Sequence, residues 1–297
     1  MDIVLRGGTV IDGSGSPGRP EDVGISDGRI VALTPDLGAR ADRVIDVTGL
    51  VVTPGFIDIH THSDLTALRD PACESKVRQG VTTDVTGNCG TSPYPIASKF
   101  RDAHLDFLRG RGIGENGLEL TWTDIDGYSE VAARRGLACN VAPLVGHGTL
   151  RTAGMGLDQR APTPEELKTM QGLLDEQLRQ GAFGFSTGLT LVPGAYASED
   201  EVVALVSVVA KHDALYATHT RGDGTREFGG VEEAIRTATT AGARLQYSHA
   251  AINIPALWGR ASEVTGIIED ARSGGLDVMF DVYPYAASSS AMTQYLP

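Results

Sequence analysis

The chain has 297 residues, of which 41% are hydrophobic and 21% charged, and its formal net charge at pH 7 is −13. This length and composition are typical of a globular protein with a sizeable core. The acidic balance argues against nucleic acid or an anionic membrane as a partner, because binding to phosphate groups requires a basic face. Neither a run of about 18 apolar residues nor a signal-peptide pattern occurs, so we predict a cytoplasmic protein.

Taken in chain order, the pattern of the sequence changes near residue 51. Short β-like runs separated by glycine and aspartate predict a small β domain over 1–50. Beyond it, apolar strand candidates alternate with helical patterns, which predicts an α/β fold, a TIM-type (β/α) barrel over 51–297. Seven of the eight strands of such a barrel are predicted, at 51–60, 81–88, 140–146, 182–188, 214–219, 244–249 and 277–285. Because no eighth strand is predicted before Pro297, both domains are expected to be incomplete.

Capping residues predict where three of the intervening helices begin. Thr163 is followed by proline at the first helical position and by Glu166 three residues on. Ser198 and Glu201 repeat this spacing. Ser262 predicts the start of a further helix.

The run Thr53-Pro54-Gly55-Phe56-Ile57-Asp58-Ile59-His60-Thr61-His62 carries the strongest functional signal. Residues two apart share one face of a strand, so His60 and His62 project together and could form half of a metal site. Two histidines that merely hydrogen-bond at a strand end would give the same pattern. Other predicted strands end in Cys89, His147, His219 and His249, of which Cys89, His219 and His249 could ligate zinc together with His60 and His62. In a barrel these carboxyl ends gather at the face where ligands bind.

The Pro-Gly-Phe-x-Asp-x-His-x-His motif resembles the first barrel strand of the amidohydrolase superfamily. Its members are hydrolases that use bound metal to hydrolyse amide and related bonds. Several relatives, such as hydantoinases and dihydroorotases, bridge two metal ions with a carboxylated lysine at the end of strand four. The fourth predicted strand here, 182–188, has no lysine. Cys89 offers a different bridge, since a thiolate can ligate two ions.

With Cys89 in place, the chain resembles the N-acyl-D-amino-acid deacylases (D-aminoacylases). The resemblance rests on short segments spread along nearly the whole chain: 55–64, 87–90, 146–148, 184–189, 218–221, 248–249 and 281–285. It implies that Cys89, His219 and His249 hold a tightly bound zinc ion. It also implies that His60 and His62 form a weaker second site with the same cysteine.

Further residues receive roles on the substrate side. The resemblance implies that Tyr283 and Ser289 bind the substrate carboxylate. His147 either contacts substrate or hydrogen-bonds within the layer of strand ends, and Arg221 either steers a carboxylate or pairs with Asp223. For Asp281, orienting a metal ligand competes with plain hydrogen bonding at a strand end.

Four positions depart from the deacylase pattern. Ala251 stands where many members have a lysine near the substrate carboxylate, and Leu191 stands where a tyrosine is frequent. Gly222 and Asp223 replace an acidic residue and a glutamate. Substrate preference is therefore less strongly predicted than metal binding.

The predicted function is zinc-dependent hydrolysis of a small-molecule N-acyl amino acid by metal-activated water. The resemblance places the proton-transferring aspartate on strand eight, beyond Pro297, so no catalytic carboxylate is assigned within the chain. One alternative is a metal-binding but catalytically incomplete fragment, whose open sheet edges would favour self-association. Another is a cyclic amidase or deaminase on the same scaffold.

Overall fold

The structure is a computed structural model that describes the chain except Ala39, Glu115, residues 223–227, Asn253, Ser288 and residues 291–297. The chain divides into two compact units, Met1–Phe56 and Ile57–Pro297. Within the described residues, every helix is too short or too polar to cross a membrane.

The first unit is a small sheet of five strands: β1 (Ile3–Val10), β2 (Arg19–Ser26), β3 (Arg29–Thr34), β4 (Arg43–Asp46) and β5 (Val51–Val52). β1 to β3 form an antiparallel meander, while β4 and β5 both lie parallel to β1. The β2–β3 connection is a two-residue turn in which Asp27 and Gly28 both have positive φ, the conformation that matches the twist of a hairpin. This sheet confirms the predicted N-terminal β structure.

The predicted strand over 51–60 is wrong as a single element. Val51–Val52 pairs with Thr9 and Val10 of the first sheet, and a separate strand, β6 (Phe56–Asp58), belongs to the second sheet. Pro54 lies between them and has no backbone N–H to donate to a ladder. The chain therefore leaves one sheet before it enters the other.

The second unit is built on a curled sheet whose seven strands follow one another in sequence order. They are β6 (Phe56–Asp58), β7 (Val81–Thr86), β8 (Asn140–Gly146), β9 (Gly184–Gly188), β10 (Leu215–His219), β11 (Arg244–Tyr247) and β12 (Val278–Phe280). All neighbours from β7 to β12 pair in parallel. The predicted barrel-type architecture is confirmed, and the parallel order brings the carboxyl ends of the strands to one side.

Nine α-helices lie within the described residues: α1 (Thr66–Arg69), α2 (Glu74–Val77), α3 (Arg101–Gly110), α4 (Ile125–Arg135), α5 (His147–Met155), α6 (Pro164–Arg179), α7 (Glu199–Lys211), α8 (Gly229–Ala241) and α9 (Ala261–Ser273). Single 3₁₀ turns cover Ser98–Phe100, Gly194–Tyr196 and Pro255–Leu257.

Two of the three predicted helix starts are confirmed. The Thr163 hydroxyl accepts a hydrogen bond from the Glu166 N–H, and the Glu166 carboxylate accepts one from the Thr163 N–H. The Ser198 hydroxyl caps α7 by accepting from the Glu201 N–H. The predicted cap at Ser262 is wrong, because α9 already begins at Ala261.

The alternation of side chains along the strands separates two apolar layers. On β8, Leu144 packs with Val85, Ala142 and Ala217, while its neighbour Val145 belongs to the large core shared with the helices. On β10, Ala217 belongs to the small layer with Leu144, and its neighbour Tyr216 belongs to the large core. The central strands are therefore buried on both faces, as in parallel sheets, whereas the edge strands β6 and β12 carry exposed residues.

Candidate metal centre

The five predicted metal ligands lie at the carboxyl ends of four strands. His60 and His62 follow β6, Cys89 follows β7, His219 is the last residue of β10, and His249 follows β11. Their donor atoms form two groups, each within 4.8 Å: His60, His62 and Cys89 in one, and Cys89, His219 and His249 in the other. The structure thus brings all five together, with Cys89 common to both groups.

The Cys89 sulfur is the central atom of this cluster. Its Sγ lies 3.3 Å from Nε2 of His60 and 3.6 Å from Nε2 of His249. The ring centroids of His219 and His249 are 4.5 Å apart, and those of His60 and His249 are 5.2 Å apart. One sulfur surrounded by imidazoles is a donor set that zinc accepts readily.

The backbone around the cluster adopts conformations that most residues avoid. Cys89 and His249 have φ of 51° and 37°, in the left-handed region that is uncommon for residues other than glycine. Gly188, at the end of β9, approaches this turn so closely that a Cβ on it would lie 2.3 Å from the carbonyl oxygen of Cys89. Left-handed residues that the surrounding structure holds in place are concentrated at functional sites.

The histidines around Cys89 favour the thiolate form of its side chain. Burial alone would raise the pKa of Cys89, which is 6% exposed, but hydrogen bonds from the surrounding histidines, led by His219, lower it well below its ordinary value. For His60, burial would lower the pKa, yet Asp281 and Cys89 together raise it to about 10. Both pKa shifts favour a thiolate next to a protonated imidazole.

Asp281, immediately after β12, connects the two groups of ligands. Its Oδ1 accepts a hydrogen bond of 2.7 Å from the His249 N–H and lies 3.3 Å from Nδ1 of His60. Its Oδ2 accepts a hydrogen bond of 2.9 Å from Gln246. Of the two roles considered for Asp281, this geometry favours orientation of metal ligands.

Thr190, in the loop after β9, contacts the cluster from the other side and was not predicted. Its Oγ1 lies 2.6 Å from Nε2 of His219, whose pKa is lowered chiefly by burial. Nothing in the sequence distinguishes this threonine from others, because the contact depends on the path of the loop.

His147 lies in a different environment, which we call the buried triad: His147, Arg151 and Glu201. His147 is the first residue of α5 and is fully buried, with Nε2 2.9 Å from the Glu201 carboxylate. Nη1 of Arg151 contacts both oxygens of Glu201, at 2.7 and 2.6 Å. This contact with Glu201 fits the hydrogen-bonding role considered for His147, and its contact with a substrate stays a prediction.

The remaining substrate-side residues are placed as follows. Arg221 donates to the Glu233 carboxylate at 2.9 Å and to the carbonyl oxygen of Ala197, while Asp223, the partner considered for it, lies outside the described residues. Tyr283 is half-buried, two residues beyond Asp281. Ser289 is exposed. Their contact with a substrate stays a prediction.

The comparisons with known proteins agree with the fold and identify the family. Residues 43–288 match the amidohydrolase family, so the chain belongs to that family. The chain is 39% identical over 294 residues to a D-aminoacylase of Alcaligenes xylosoxydans xylosoxydans, an alignment that covers 99% of this chain and 59% of that protein. The chain thus spans about three-fifths of the length of the relatives it matches.

Two solved structures extend the comparison. One is N-acyl-D-glutamate deacylase from Bordetella bronchiseptica complexed with zinc and a phosphonate inhibitor: 36% identity, TM-score 0.85, covering 96% of this chain and 58% of that one. The other is a D-aminoacylase: 38% identity, TM-score 0.87, covering 97% of this chain and 60% of that one. The resemblance that the sequence motifs indicate is confirmed.

Proposed function

We propose that this chain carries the metal centre of a zinc-dependent amide hydrolase that removes the acyl group from N-acyl-D-amino acids. The observation that carries the proposal is the buried Cys89 sulfur, surrounded by histidines from three other strand ends. Similarity to a D-aminoacylase supports the class of reaction. The zinc complex of the related D-glutamate deacylase supports the metal.

The chemistry of the candidate ligands predicts a different metal affinity for each of the two ligand groups. Cys89, His219 and His249 supply a thiolate and two imidazoles, and the lowered pKa of His219 keeps that ring neutral and able to ligate. His60, with a pKa raised to about 10, must lose a proton before it can bind a second ion. We therefore expect the first group to fill before the group of His60 and His62.

A bound zinc ion lowers the pKa of its water to about 7 and polarises the amide carbonyl. Three protein ligands leave a position open for that water. Proton transfer to the leaving nitrogen requires a carboxylate. Because Asp281 is already engaged by His60, His249 and Gln246, we leave this role to the aspartate that the resemblance places on an eighth strand.

On the substrate side, we assign Tyr283 and Ser289 to the free carboxylate of an N-acyl amino acid. Arg221 is engaged with Glu233, so we give it the role of shaping the wall of the site rather than direct capture of the carboxylate. Ala251 supplies no charge where many deacylases have a lysine. The small molecule itself is the only partner that the proposal requires.

Metal analysis is the first test. Purified chain should contain zinc, and Cys89→Ala should lose most of it. Cys139→Ala is the matched control, because Cys139 is also buried but packs in a separate apolar cluster with Cys73. Full zinc content in Cys89→Ala would overturn the proposed centre.

Turnover is the second test. The zinc-loaded chain is assayed beside a version extended through an eighth strand. The extended version should hydrolyse N-acetyl-D-amino acids faster than their L-enantiomers and faster than the corresponding carboxamides, and Cys89→Ala should abolish this activity. The 297-residue chain, in which no proton-transferring carboxylate is assigned, should be about 10²–10⁴-fold slower. A chain that binds zinc through Cys89 but hydrolyses none of these compounds would instead support the metal-binding, catalytically incomplete alternative.

A further inference from the structure

The contact between Thr190 and His219 goes beyond the ligand set itself. The 2.6 Å between Thr190 Oγ1 and His219 Nε2 is the distance of a strong hydrogen bond. An imidazole has two ring nitrogens, and a neutral ring carries a proton on only one of them. The partner of one nitrogen therefore decides which nitrogen offers a lone pair to a metal.

The loop that carries Thr190 is held by the residues on either side of it. The Leu189 N–H donates to the carbonyl oxygen of His219 at 2.9 Å, and the Leu191 N–H donates to that of Gly188 at 3.2 Å. Gly188 itself lies against the carbonyl of Cys89. The loop is thus hydrogen-bonded to the backbone of His219, and the Thr190 hydroxyl on that loop contacts the side chain of the same histidine.

We propose that Thr190 is a positioning residue that accepts the Nε2–H of His219 and leaves Nδ1 as the nitrogen that binds the metal. This inference rests on the proposed metal centre, in which His219 is a ligand. Such outer partners hold the ring in the orientation that binding requires, and their loss typically costs about 10–100-fold in metal affinity.

The opposite arrangement makes a different prediction. If Nε2 of His219 were the ligand atom, the Thr190 hydroxyl would occupy the direction of the metal and compete with it. Removal of the hydroxyl would then leave zinc affinity unchanged or increase it. The sign of the change therefore distinguishes the two arrangements.

The experiment compares zinc affinity in the 297-residue chain and its variants by competition with a chromophoric chelator. Thr190→Val keeps the shape of the side chain and removes the hydroxyl, so affinity should fall about 10–100-fold. Thr190→Ser keeps the hydroxyl and should restore most of the affinity. Thr169→Val is the control, because Thr169 is an exposed threonine on α6 whose hydroxyl bonds only to the carbonyl of Glu165 among the described contacts.

A spectroscopic readout separates positioning from a general loss of structure. Nitrogen-15 NMR of the histidine rings in the zinc-loaded protein should show His219 with its proton on Nε2 in the wild type and in Thr190→Ser. Thr190→Val should show a mixture of the two ring arrangements, while the metal-free variant keeps the thermal unfolding curve of the metal-free wild type.

Zinc affinity in Thr190→Val equal to or tighter than that of the wild type, while Cys89→Ala loses zinc, would overturn the role of Thr190 and leave the proposed centre intact. A wild-type chain that shows the Nδ1–H tautomer of His219 would also overturn it. A wild-type chain that binds zinc without Cys89 would overturn both.

Discussion

We call Cys89 and its four neighbouring histidines, His60, His62, His219 and His249, the metal cluster. The metal cluster and the buried triad are two groups of polar residues near the strand ends of the same sheet. They differ in how their charges are compensated. In the triad, Arg151 and His147 both meet Glu201, and all three side chains are at most 2% exposed. In the metal cluster, imidazoles converge on the single sulfur of Cys89, and His62 reaches solvent. In the triad a carboxylate lies between two basic side chains, whereas in the cluster several potential metal ligands converge on one sulfur.

The path of the backbone after each strand explains this difference. His147 continues directly into α5, so its side chain enters the layer between the sheet and α7. Cys89 and His249 instead occupy left-handed turns, which hold their side chains above the strand ends. At these two strand ends, the turn that follows the strand therefore keeps the side chain out of the helix layer.

The largest effect that separates the two clusters is expected from Glu201→Ala. Removal of this carboxylate leaves Arg151 buried without its counter-charge, which should cost about 3–5 kcal/mol of unfolding free energy. Zinc affinity should not change. Urea unfolding and zinc titration of the same samples measure both quantities.

Glu199→Ala is the control for that experiment, since Glu199 lies on the same helix in an exposed pair with Arg236 and should cost no more than about 1 kcal/mol. If Glu201→Ala weakened zinc binding as much as stability, the triad and the metal cluster would have to be treated as one unit.

Gly188→Ala should damage the metal cluster and leave the triad intact. Its new Cβ would overlap the carbonyl oxygen of Cys89, so the turn must shift, at a cost of about 1–3 kcal/mol. Zinc affinity should fall with it, as measured by chelator competition. Gly172→Ala on α6, where a Cβ meets nothing within 4 Å, should be neutral or stabilising by up to about 1 kcal/mol. Equal stability and equal zinc affinity of Gly188→Ala and Gly172→Ala would contradict the close packing of β9 against Cys89.

Asp281→Asn tests whether the two halves of the metal cluster are coupled. Loss of the carboxylate charge should lower the pKa of His60 and weaken its orientation, so zinc affinity should decrease about 10–100-fold. The exposed Asp277, just before β12, provides the control variant Asp277→Asn. Isothermal titration measures the zinc affinity of both variants. Equal affinities of Asp281→Asn and Asp277→Asn would show that Asp281 only forms hydrogen bonds at the strand end and does not orient the metal ligands.

His104 is a third case, a buried histidine whose two ring nitrogens have no hydrogen-bond partner among the residues that the structure describes. It is 1% exposed on α3, and burial, with a contribution from Arg101, lowers its pKa to about 4. Between pH 6.5 and about 4 the unfolded chain binds a proton that the folded chain does not, so stability should fall as the pH decreases. The contribution between pH 6.5 and about 5 is on the order of 1–2 kcal/mol.

His104→Leu should remove this part of the pH dependence. Urea unfolding of metal-free wild type and variant at several pH values measures the difference between the two curves, which should be constant above pH 7 and change below it. Parallel curves down to about pH 5 would show that His104 titrates normally in the folded state.

The sequence predicted the order of the strands because their apolar runs and the helix caps, such as Thr163, are local signals. It placed all five ligands at strand ends for the same reason. It did not predict where the strand over 51–60 divides, because that depends on which sheet Val51 joins. Nor did it predict Thr190 or the Glu201 partner of His147, since these contacts join loops and helices that are distant in the chain.

The shared position of Cys89 has a consequence for how the chain holds together. Cys89 and His249 are 160 residues apart in sequence. A single ion bound to both would act as a cross-link that closes a very long loop, and it would tether β7 to β11 without adding a covalent bond. Because an ion that binds only the folded state stabilises it by mass action, the melting temperature of this chain should depend on the concentration of free metal. The Cys89 sulfur would then both ligate the metal for catalysis and stabilise the fold of the sheet.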